Sequence, residues 1–239
     1  MYGVGVGPGD PKMMTILAKE ILESASILLA PTISMESSGR AEEVVRAILP
    51  NREIERIVFQ MTRGTSGQTL RESSAKAAAR ELFERCAPDE DVAFVTLGDP
   101  SLYSTFYPLA RAVSQLDNGV EISMVPGIPA FTYLACRVNM DLLDNSERLY
   151  VVAVVQDEDL DRLCDLLADR QATVVIYKCG RRFGKVREAL AKTDRLSQAL
   201  VGEQLGTQIE RIVEASLVSE DYLSYFATVI SPAIRSDFG

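Results

Sequence analysis

Three glycine-containing turns, each directly after a predicted buried strand, are the segments of this sequence best placed to bind a ligand. They are Gly5–Asp10 (GVGPGD), Gly98–Tyr103 (GDPSLY) and Val125–Ala130 (VPGIPA). Glycine accepts φ > 0 and lets a ligand or another backbone approach closely. Open α/β sheets bind ligands at the carboxyl ends of their strands. The pattern therefore predicts a ligand site assembled from three strand-end loops, with carboxylates at Asp10 and Asp99.

Each of these turns also has a structural explanation that the sequence alone leaves open. The first could be a tight strand-to-helix connection, Asp99 could cap a helix that starts at Pro100, and the third could be a corner held rigid by prolines. The first turn does not match a dinucleotide-binding G-x-G-x-x-G motif, because Asp10 stands at the third glycine and Pro8 has no N–H to offer a phosphate. It also lacks the Gly-Lys-Ser/Thr of a P-loop.

The sequence contains no histidine, which excludes the usual general base at neutral pH and the commonest metal ligand. Its four cysteines are widely separated and form no C-x-x-C pair, so they indicate neither a zinc site nor a disulfide framework. We expect them to be reduced, mostly buried and inert. Any chemistry must use carboxylates, tyrosines, lysines or arginines, or need little proton transfer, and no metal site is predicted.

The formal net charge of −9 over 239 residues argues against general nucleic-acid binding, which requires a basic surface. A local basic group nevertheless follows one predicted strand, and Arg63 follows another. That group comprises Lys178, Arg181, Arg182, Lys185 and Arg187. Such a group is typical of a solvated face, but it also suits a polycarboxylate ligand, since arginine can donate two parallel hydrogen bonds to a carboxylate.

No apolar run in the sequence is long enough to span a membrane. The N-terminus has neither the basic region nor the apolar region of a signal peptide. We therefore expect a cytoplasmic protein.

The hydrophobic periodicity predicts alternating strands and helices, which is typical of an α/β protein. Predicted strands cover residues 2–6, 27–30, 55–61, 91–97, 120–125, 149–155, 173–177, 199–201, 208–215 and 227–230. Predicted helices cover residues 11–26, 40–49, 70–86, 106–116, 160–167 and 186–190. The turn at Asp117–Gly119 predicts a boundary between two α/β domains, residues 1–118 and 119–239.

Taken together, the three turns resemble the signatures of the tetrapyrrole methylases, S-adenosylmethionine-dependent enzymes that methylate corrin precursors. The matching segments are Val6–Pro11 with Thr15, Gly98–Phe106 and Val125–Ile128. Two shorter strings, Phe59–Arg63 and Val175–Arg181, are most similar to the members that methylate precorrin-2 or cobalt-factor II at the carbon-20 meso position. The resemblance covers essentially the whole chain.

The resemblance implies a cofactor cleft between two α/β domains, a tetrapyrrole substrate and a homodimer. The cofactor residues that it implies are Pro8, Gly98, Asp99, Leu102, Ser104, Thr105, Pro129, Ala130, Lys178, Glu203, Gln204 and Leu205. The resemblance also places Gly9, Asp10, Arg63, Arg181 and Arg182 at the substrate. Because the substrates of this family carry several carboxylates, the three arginines are predicted to hold those groups. Tyr103 is placed beside the ring as the candidate catalytic residue.

The implied chemistry agrees with the missing histidine. A sulfonium methyl is already electrophilic and the meso carbon of a reduced tetrapyrrole is a nucleophile, so alignment in a dry site can carry the reaction. Three alternatives stay open: methylation at another ring position, a non-catalytic protein that binds cofactor or tetrapyrrole, and a nicotinamide or flavin oxidoreductase. The last is disfavoured by the absent third glycine and by Pro8.

Overall fold

The computed structural model describes residues 1–59, 67–87 and 90–235, and the side chains of residues 67–71 lie outside that description. The chain forms two compact units, Met1–Pro129 and Ala130–Gly239. In its described residues each unit contains one five-stranded sheet with helices packed against it. The predicted α/β fold class is confirmed.

The first unit is a parallel sheet in the order β3-β2-β4-β1-β5. Its described elements are β1 (Tyr2–Gly5), α1 (Ile16–Ser24), β2 (Ile27–Thr32), α2 (Arg40–Ile48), β3 (Glu55–Val58), α3 (Gly67–Arg85), β4 (Val92–Thr96), α4 (Phe106–Leu116) and β5 (Ser123–Val125). A 3-10 turn at Pro11–Met13 precedes α1, so the predicted helix over residues 11–26 is divided in two.

Apolar side chains cover both faces of this sheet, which explains why β4 shows no alternation in sequence. On one face Val4 and Val95 pack with Leu22 of α1 and Val45 of α2. On the other face Phe94 lies in a separate cluster with residues of α3 and α4. Because both faces are buried, only the ends of the strands are free to carry polar loops.

The pairing of β5 places the end of the first unit later than the sequence predicted. Val4 of β1 pairs in parallel with Val125, so residues 123–125 belong to the first sheet. The Asp117–Gly119 turn, predicted to mark the boundary at residue 118, is a local turn in which the Gly119 N–H donates to Asp117 at 2.8 Å. Glycine and asparagine mark a loop, whereas strand pairing decides which unit the next strand joins.

The second unit is a mixed sheet in the order β6-β7-β10-β8-β9. Its described elements are α5 (Ala130–Arg137), β6 (Arg148–Ala153), α6 (Glu158–Ala168), β7 (Ala172–Tyr177), α7 (Phe183–Lys192), β8 (Leu200–Glu203), β9 (Arg211–Glu214) and β10 (Thr228–Ser231). Strands β6 and β7 are parallel, while β10 runs antiparallel to both β7 and β8. Leu163 and Leu167 of α6 pack with Val186 and Leu190 of α7 in the core.

Arg195 is a fully buried cation in the second unit. Its guanidinium donates to the carbonyls of Leu167 at 2.7 Å, Asp169 at 2.6 Å and Pro232 at 2.7 Å. Burial is the main cause that lowers the pKa of Arg195. The side chain therefore ties the end of α6 to the segment after β10 through backbone acceptors.

Glu42 of α2 is a buried carboxylate that connects this helix to β3. Arg56 donates to its two oxygens at 2.8 and 2.9 Å, and Arg46 contacts it at 2.8 Å. Burial would raise the pKa of Glu42, but the hydrogen bonds from Arg56 and Arg46 outweigh that effect and lower it. Arg56 also donates to the Met35 carbonyl at 2.7 Å and so holds the loop after β2.

No helix within the described ranges combines the length and the apolar character needed to cross a membrane. The four cysteines are free, as predicted, but only Cys179 is buried, and Cys136 is exposed because it lies on the outer face of α5.

Candidate functional site

The three glycine turns meet at one edge of the first sheet, because β4, β1 and β5 are adjacent parallel strands. Gly7 and Gly98 form an isolated bridge in which the Gly98 N–H donates to the Gly7 carbonyl at 2.7 Å. A Cβ on Gly127 would lie only 2.1 Å from the Gly98 carbonyl oxygen and 2.9 Å from Gly5 Cα. The loops thus pack backbone against backbone, which only glycine allows.

Asp99 connects the second turn to the third. Its Oδ2 accepts the Gly127 N–H at 2.9 Å, and its Oδ1 accepts the Ser101 N–H at 2.8 Å and the Ser101 hydroxyl. The predicted alternative, in which Asp99 caps the next helix, is wrong because α4 begins only at Phe106. Asp99 therefore acts as a brace: its carboxylate links the second turn to the third, and each of its oxygens accepts a hydrogen bond from the protein.

Ser104 supplies the contact at the start of α4 that the sequence had suggested for Asp99. Its hydroxyl oxygen accepts the Phe106 N–H at 2.9 Å and lies 3.0 Å from the Thr96 hydroxyl at the end of β4. Thr96 is buried at the end of β4, so its contact with Ser104 ties the second turn to the sheet. The neighbouring Thr105 makes no side-chain capping bond to this helix.

Gly98 leaves open space on one side of the second turn. Its φ is +72°, and a Cβ built there would come no closer than 4.0 Å to the nearest heavy atom, the Ile128 carbonyl oxygen. Pro8 of the first turn is buried, while Gly9, Asp99 and Leu102 are partly exposed. At the carboxyl edge of the first sheet, the backbone at Gly98 is therefore not covered by a close neighbouring atom on that side.

Asp10 caps the 3-10 turn that follows the first loop. Its Oδ1 accepts the Lys12 N–H at 2.9 Å, and Pro11 occupies the first position of the turn. Helix α1 begins later and is capped by Thr15, whose hydroxyl oxygen accepts the Ala18 N–H at 3.1 Å. One carboxylate oxygen of Asp10 is therefore committed to local structure.

Left-handed backbone marks three of the predicted site residues. The described non-glycine residues with positive φ are Asn139, Asn145 and Asp194, together with Tyr103 (49°), Lys178 (59°) and Gln204 (52°). Asparagine and aspartate adopt this region several-fold more often than other non-glycine residues, so the first three need no special reason. Strained backbone at the other three residues costs free energy, and such residues cluster at functional sites. The exposed Tyr103 shows 43% of its surface, which leaves its ring accessible to a ligand.

Two of these strained residues lie at one edge of the second sheet. Thr228 of β10 pairs with Tyr177 at the end of β7 and with Gly202 near the end of β8. Because β7 and β8 both run antiparallel to β10, Lys178 and Gln204 follow at the same edge. The predicted residues Lys178 and Glu203–Leu205 are therefore brought together within the second unit.

The residues at the end of β8 divide between structural and exposed roles. Glu203 accepts the Ser224 N–H at 2.7 Å and the Arg211 guanidinium at 3.2 Å, so both of its oxygens have protein partners. Leu205 is buried. Gln204 is half-buried. Its Oε1 atom is fully buried and accepts no hydrogen bond from any residue that the structure describes.

The basic group around Arg181 is mostly neutralised by neighbouring carboxylates. Asp157 accepts Arg182 at 2.9 Å and Lys185 at 2.6 Å, and hydrogen bonds from Lys185 and Arg182 lower the pKa of Asp157. Arg187 pairs with Asp221 at 2.7 Å. Arg181 is exposed and has no ion pair in the described part of the chain. The Arg63 prediction lies outside the described residues.

A cysteine nucleophile is excluded at the Lys178 edge. Burial raises the pKa of the Cys179 thiol to about 12, so it carries no thiolate at neutral pH. The described residues also contain no group of three carboxylate or cysteine side chains that could hold a metal ion. Within the second unit, the Lys178 edge therefore offers neither a thiolate nor a metal-binding cluster among its described residues.

The sequence pattern of the tetrapyrrole (corrin/porphyrin) methylases matches residues 1–219. The chain belongs to this family. The three interlocked turns all fall inside the matched region, and each is one of the segments that carried the resemblance.

Individual family members agree with this assignment. A probable cobalt-precorrin-2 C(20)-methyltransferase of Methanocaldococcus jannaschii is 31% identical over 69% of this chain and 67% of its own length. A precorrin-2 C(20)-methyltransferase of Sinorhizobium sp is 28% identical over 97% of this chain and 94% of its own. The cobalamin biosynthesis protein CobIJ of Mycobacterium tuberculosis is 30% identical over 98% of this chain, which spans 46% of the length of CobIJ.

Among solved structures, a uroporphyrin-III C-methyltransferase from Thermus thermophilus, complexed with S-adenyl homocysteine, has the same fold. Its TM-score is 0.64 at 21% identity, covering 96% of this chain and 90% of that one. The likeness extends over both units of the chain.

Sequence reasoning missed two residues that the fold brings to the second sheet edge. The Tyr177 hydroxyl accepts the Phe131 N–H at the start of α5 at 3.2 Å, and Ser224 lies against Glu203. Tyr177 belongs to a string already noted for its family resemblance, which was a usable signal. Ser224 follows an irregular segment with no local pattern, so only the fold could place it.

Proposed function

We propose that this protein methylates the carbon-20 meso position of precorrin-2, or of its cobalt-containing form, with S-adenosylmethionine in cobalamin biosynthesis. The observation that carries the proposal is the interlocked set of three turns at Gly7, Gly98 and Gly127. It occurs in a chain that matches the methylase family over residues 1–219 and resembles precorrin-2 C(20)-methyltransferases over nearly all of its length.

The residues present fit a nucleoside-bearing methyl donor. A Cβ built on Gly98 would lie 4.0 Å from its nearest neighbour, the Ile128 carbonyl oxygen. This open space lets a ligand approach the backbone of Gly98 closely. The buried Gln204 Oε1 is an acceptor suited to a ligand hydroxyl or amine. The proposed cofactor residues of the first unit are Pro8, Gly98, Asp99, Leu102, Ser104, Thr105 and Pro129. Those of the second unit are Ala130, Lys178, Glu203, Gln204 and Leu205.

Within this set the roles differ in kind. Both oxygens of Asp99 and of Glu203 already accept hydrogen bonds from the protein, and we assign these residues to holding the loops of the site in place. Ser104 acts in the same way through its bonds to Phe106 and Thr96. The backbone at Gly98 and the side chain of Gln204 are available to contact the ligand directly.

The catalytic work of this chain is positioning. S-adenosylmethionine supplies an electrophilic methyl group, and the reduced tetrapyrrole supplies the nucleophilic carbon. The rigid turns would hold the reacting partners in line and exclude water, which is catalysis by proximity and orientation. We assign Tyr103 to the ring of the substrate, because its strained backbone holds an exposed aromatic side chain at the end of the Gly98–Tyr103 turn.

We propose that Arg181 and Arg63 bind substrate carboxylates, and that Gly9 and Asp10 contact other parts of the substrate. Arg182 shares its guanidinium with Asp157, so its attraction for a second carboxylate is weaker than that of Arg181. Replacing Arg181 by alanine should raise the tetrapyrrole KM about twofold to fivefold, as expected for an exposed charge pair, without changing affinity for S-adenosylhomocysteine. Arg162→Ala, at an exposed arginine of α6, is the matched control.

Turnover decides the function. Purified protein is incubated with S-adenosylmethionine and either precorrin-2 or its cobalt form, and the methylated carbon is located by NMR with a ¹³C-labelled methyl group. We expect one new methyl at carbon 20, and the faster substrate identifies the route. A methyl on another carbon would identify a sister enzyme, and cofactor binding without turnover would indicate a binding protein.

Binding of S-adenosylhomocysteine is the simpler first test. A ligand at 100 times its Kd adds about 2.7 kcal/mol to the stability of a protein that binds it only when folded. We expect a rise in Tm with S-adenosylhomocysteine and none with NAD(P). The reverse result would favour the oxidoreductase alternative.

We also propose that the enzyme is a cytoplasmic homodimer that binds no nucleic acid. The dimer follows from the family resemblance, and the net charge of −9 disfavours a nucleic-acid partner. Light scattering coupled to size exclusion tests the dimer, and a mass of one chain would contradict it.

A further inference from the structure

The edge of the second sheet contains two buried polar atoms that the protein does not satisfy. Over the described residues, the buried side-chain atoms with no hydrogen-bond partner are Arg52 Nε, Gln204 Oε1 and Ser224 Oγ. A buried hydroxyl or amide left unpaired costs about 1–3 kcal/mol, so each such group calls for an explanation. Gln204 and Ser224 belong to one small region, since Glu203 accepts the Ser224 N–H at 2.7 Å.

Ser224 is held in place from three directions. Besides the bond to Glu203, the preceding Leu223 N–H donates to the Gly180 carbonyl at 2.8 Å. A Cβ on Gly180 would lie 2.5 Å from the Ser224 carbonyl oxygen, so this segment packs directly on the loop after β7. The Ser224 carbonyl in turn accepts the Ala227 N–H at 3.1 Å, at the entry to β10.

These contacts use the backbone of Ser224 and leave its hydroxyl aside. The backbone of Ser224 is fixed between the loop after β7 and the end of β8, while its hydroxyl is buried and unpaired. Gln204 is likewise fixed, in a left-handed conformation with φ of 52°. Two rigid, unsatisfied groups at one sheet edge are the arrangement expected of a preorganised binding surface, since little conformational freedom is lost when a ligand pairs with them.

The chemistry of these groups selects the part of a ligand that they can accept. Gln204 Oε1 is an acceptor, the Ser224 hydroxyl can donate or accept, and the carboxylate of Glu203 lies between the two loops. An anionic carboxylate could not pair with the Gln204 oxygen, because both groups only accept hydrogen bonds. The hydroxyls and ring nitrogens of a nucleoside satisfy both groups without added charge.

We propose that Ser224, positioned by Glu203, is a further binding residue of this protein and that, with Gln204, it binds the nucleoside part of the methyl donor. The proposal rests on the proposed function. It adds a residue that no sequence motif indicated, and it gives Glu203 a positioning role through Ser224 in place of a direct contact with the cofactor.

The test compares Ser224→Ala with wild type by calorimetric titration of S-adenosylhomocysteine and of 5′-methylthioadenosine, which keeps the nucleoside and lacks the amino acid. We expect Ser224→Ala to weaken both ligands by a similar factor of about ten, the loss of one hydrogen bond at a buried site. The Tm of the free protein should stay unchanged or rise, because the variant removes an unpaired buried hydroxyl. Ser216→Ala is the control, since the Ser216 hydroxyl bonds the exposed Glu214 at 3.3 Å.

Each other result overturns the inference in a recognisable way. Equal affinities in Ser224→Ala and wild type would mean that the hydroxyl is not a ligand contact. Weaker S-adenosylhomocysteine with unchanged 5′-methylthioadenosine would place Ser224 at the amino-acid part. If wild type binds neither ligand, the proposed function fails together with this inference. As a check independent of any variant, S-adenosylhomocysteine should slow amide exchange in residues 223–227, and unchanged exchange there would contradict the contact.

Discussion

Replacing Asp99 by alanine tests whether this carboxylate braces the site or contacts the ligand. The Gly127 N–H donates to Oδ2 at 2.9 Å from a loop 28 residues away, and the Ser101 N–H donates to Oδ1 at 2.8 Å. Hydrogen bonds to charged groups contribute about 1.5–3 kcal/mol. Because Asp99 is half-buried and Ser101 is exposed, we take the low end for Gly127 and about 0.5 kcal/mol for Ser101. Asp99→Ala should therefore destabilise the first unit by about 2 kcal/mol.

The matched control is Asp117→Ala. Asp117 accepts the Gly119 N–H at 2.8 Å in a turn of the same local geometry, but without a bond to a distant loop. In thermal melts a loss of about 2 kcal/mol corresponds to about 4–8 °C for a chain of this size. We expect that shift for Asp99→Ala and about 1–2 °C for Asp117→Ala, where only an exposed local bond is lost. Amide exchange at Gly127 should accelerate in the first variant alone.

Ligand affinity completes the test. If Asp99 is a brace, Asp99→Ala weakens S-adenosylhomocysteine binding and lowers stability together, because the third turn is no longer fixed. The contrary result is an Asp99→Ala protein that has the Tm of Asp117→Ala and a protected Gly127 amide, yet binds S-adenosylhomocysteine more weakly. That result would show that Asp99 contacts the ligand directly and does not act by fixing the third turn.

Three further substitutions probe the fold around the site. Gly127→Ala should cost about 3 kcal/mol and abolish S-adenosylhomocysteine binding, because its Cβ would lie 2.1 Å from the backbone oxygen of Gly98; a wild-type melt would contradict the close packing. Glu42→Gln should cost about 3 kcal/mol at pH 7 by weakening a buried ion pair with Arg56. Folding lowers the pKa of Glu42 from 4.5, so the ion pair stabilises the wild-type protein above that pH and ceases to do so in acid. The difference between the urea midpoints of wild type and Glu42→Gln should therefore close below about pH 4.5. A difference that stays constant with pH would show that the charge of Glu42 is not responsible. Arg195→Met should destabilise the second unit by about 3 kcal/mol or more in urea, since several buried carbonyls lose their donor; a loss no larger than that of Met at the exposed Arg170 would refute its role.

The strand-end turns were predictable because their signal is local. Glycine beside an apolar run limits the backbone to a turn, and the unbroken apolar run at Val92–Thr96 indicates a strand covered on both faces. The order of the strands was not predictable in the same way. That β4 lies between β2 and β1, which brings the Gly98 turn against Gly7, depends on pairings between residues about 90 positions apart.

The basic group around Arg181 is a case in which the sequence pattern was misleading. Its composition suggested several arginines for substrate carboxylates, but Asp157 and Asp221 occupy Arg182, Lys185 and Arg187 in the fold. Those carboxylates are 25 to 34 residues away from their partners. Counting charges along the chain cannot reveal such pairs, so the sequence overestimated the free positive charge at this loop.

By itself the sequence determined the α/β class, the three turns, the absence of histidine chemistry and the family resemblance, because each depends on residue type and short spacing. Tertiary structure decided which polar groups are still available. In the fold, Asp99 and Glu203 accept hydrogen bonds from backbone N–H groups, whereas the Gln204 oxygen and the Ser224 hydroxyl are buried and unpaired. The physical reason is that a hydrogen bond is satisfied by whichever group lies within reach in space, and that proximity is set by strand pairing and loop packing across the whole chain.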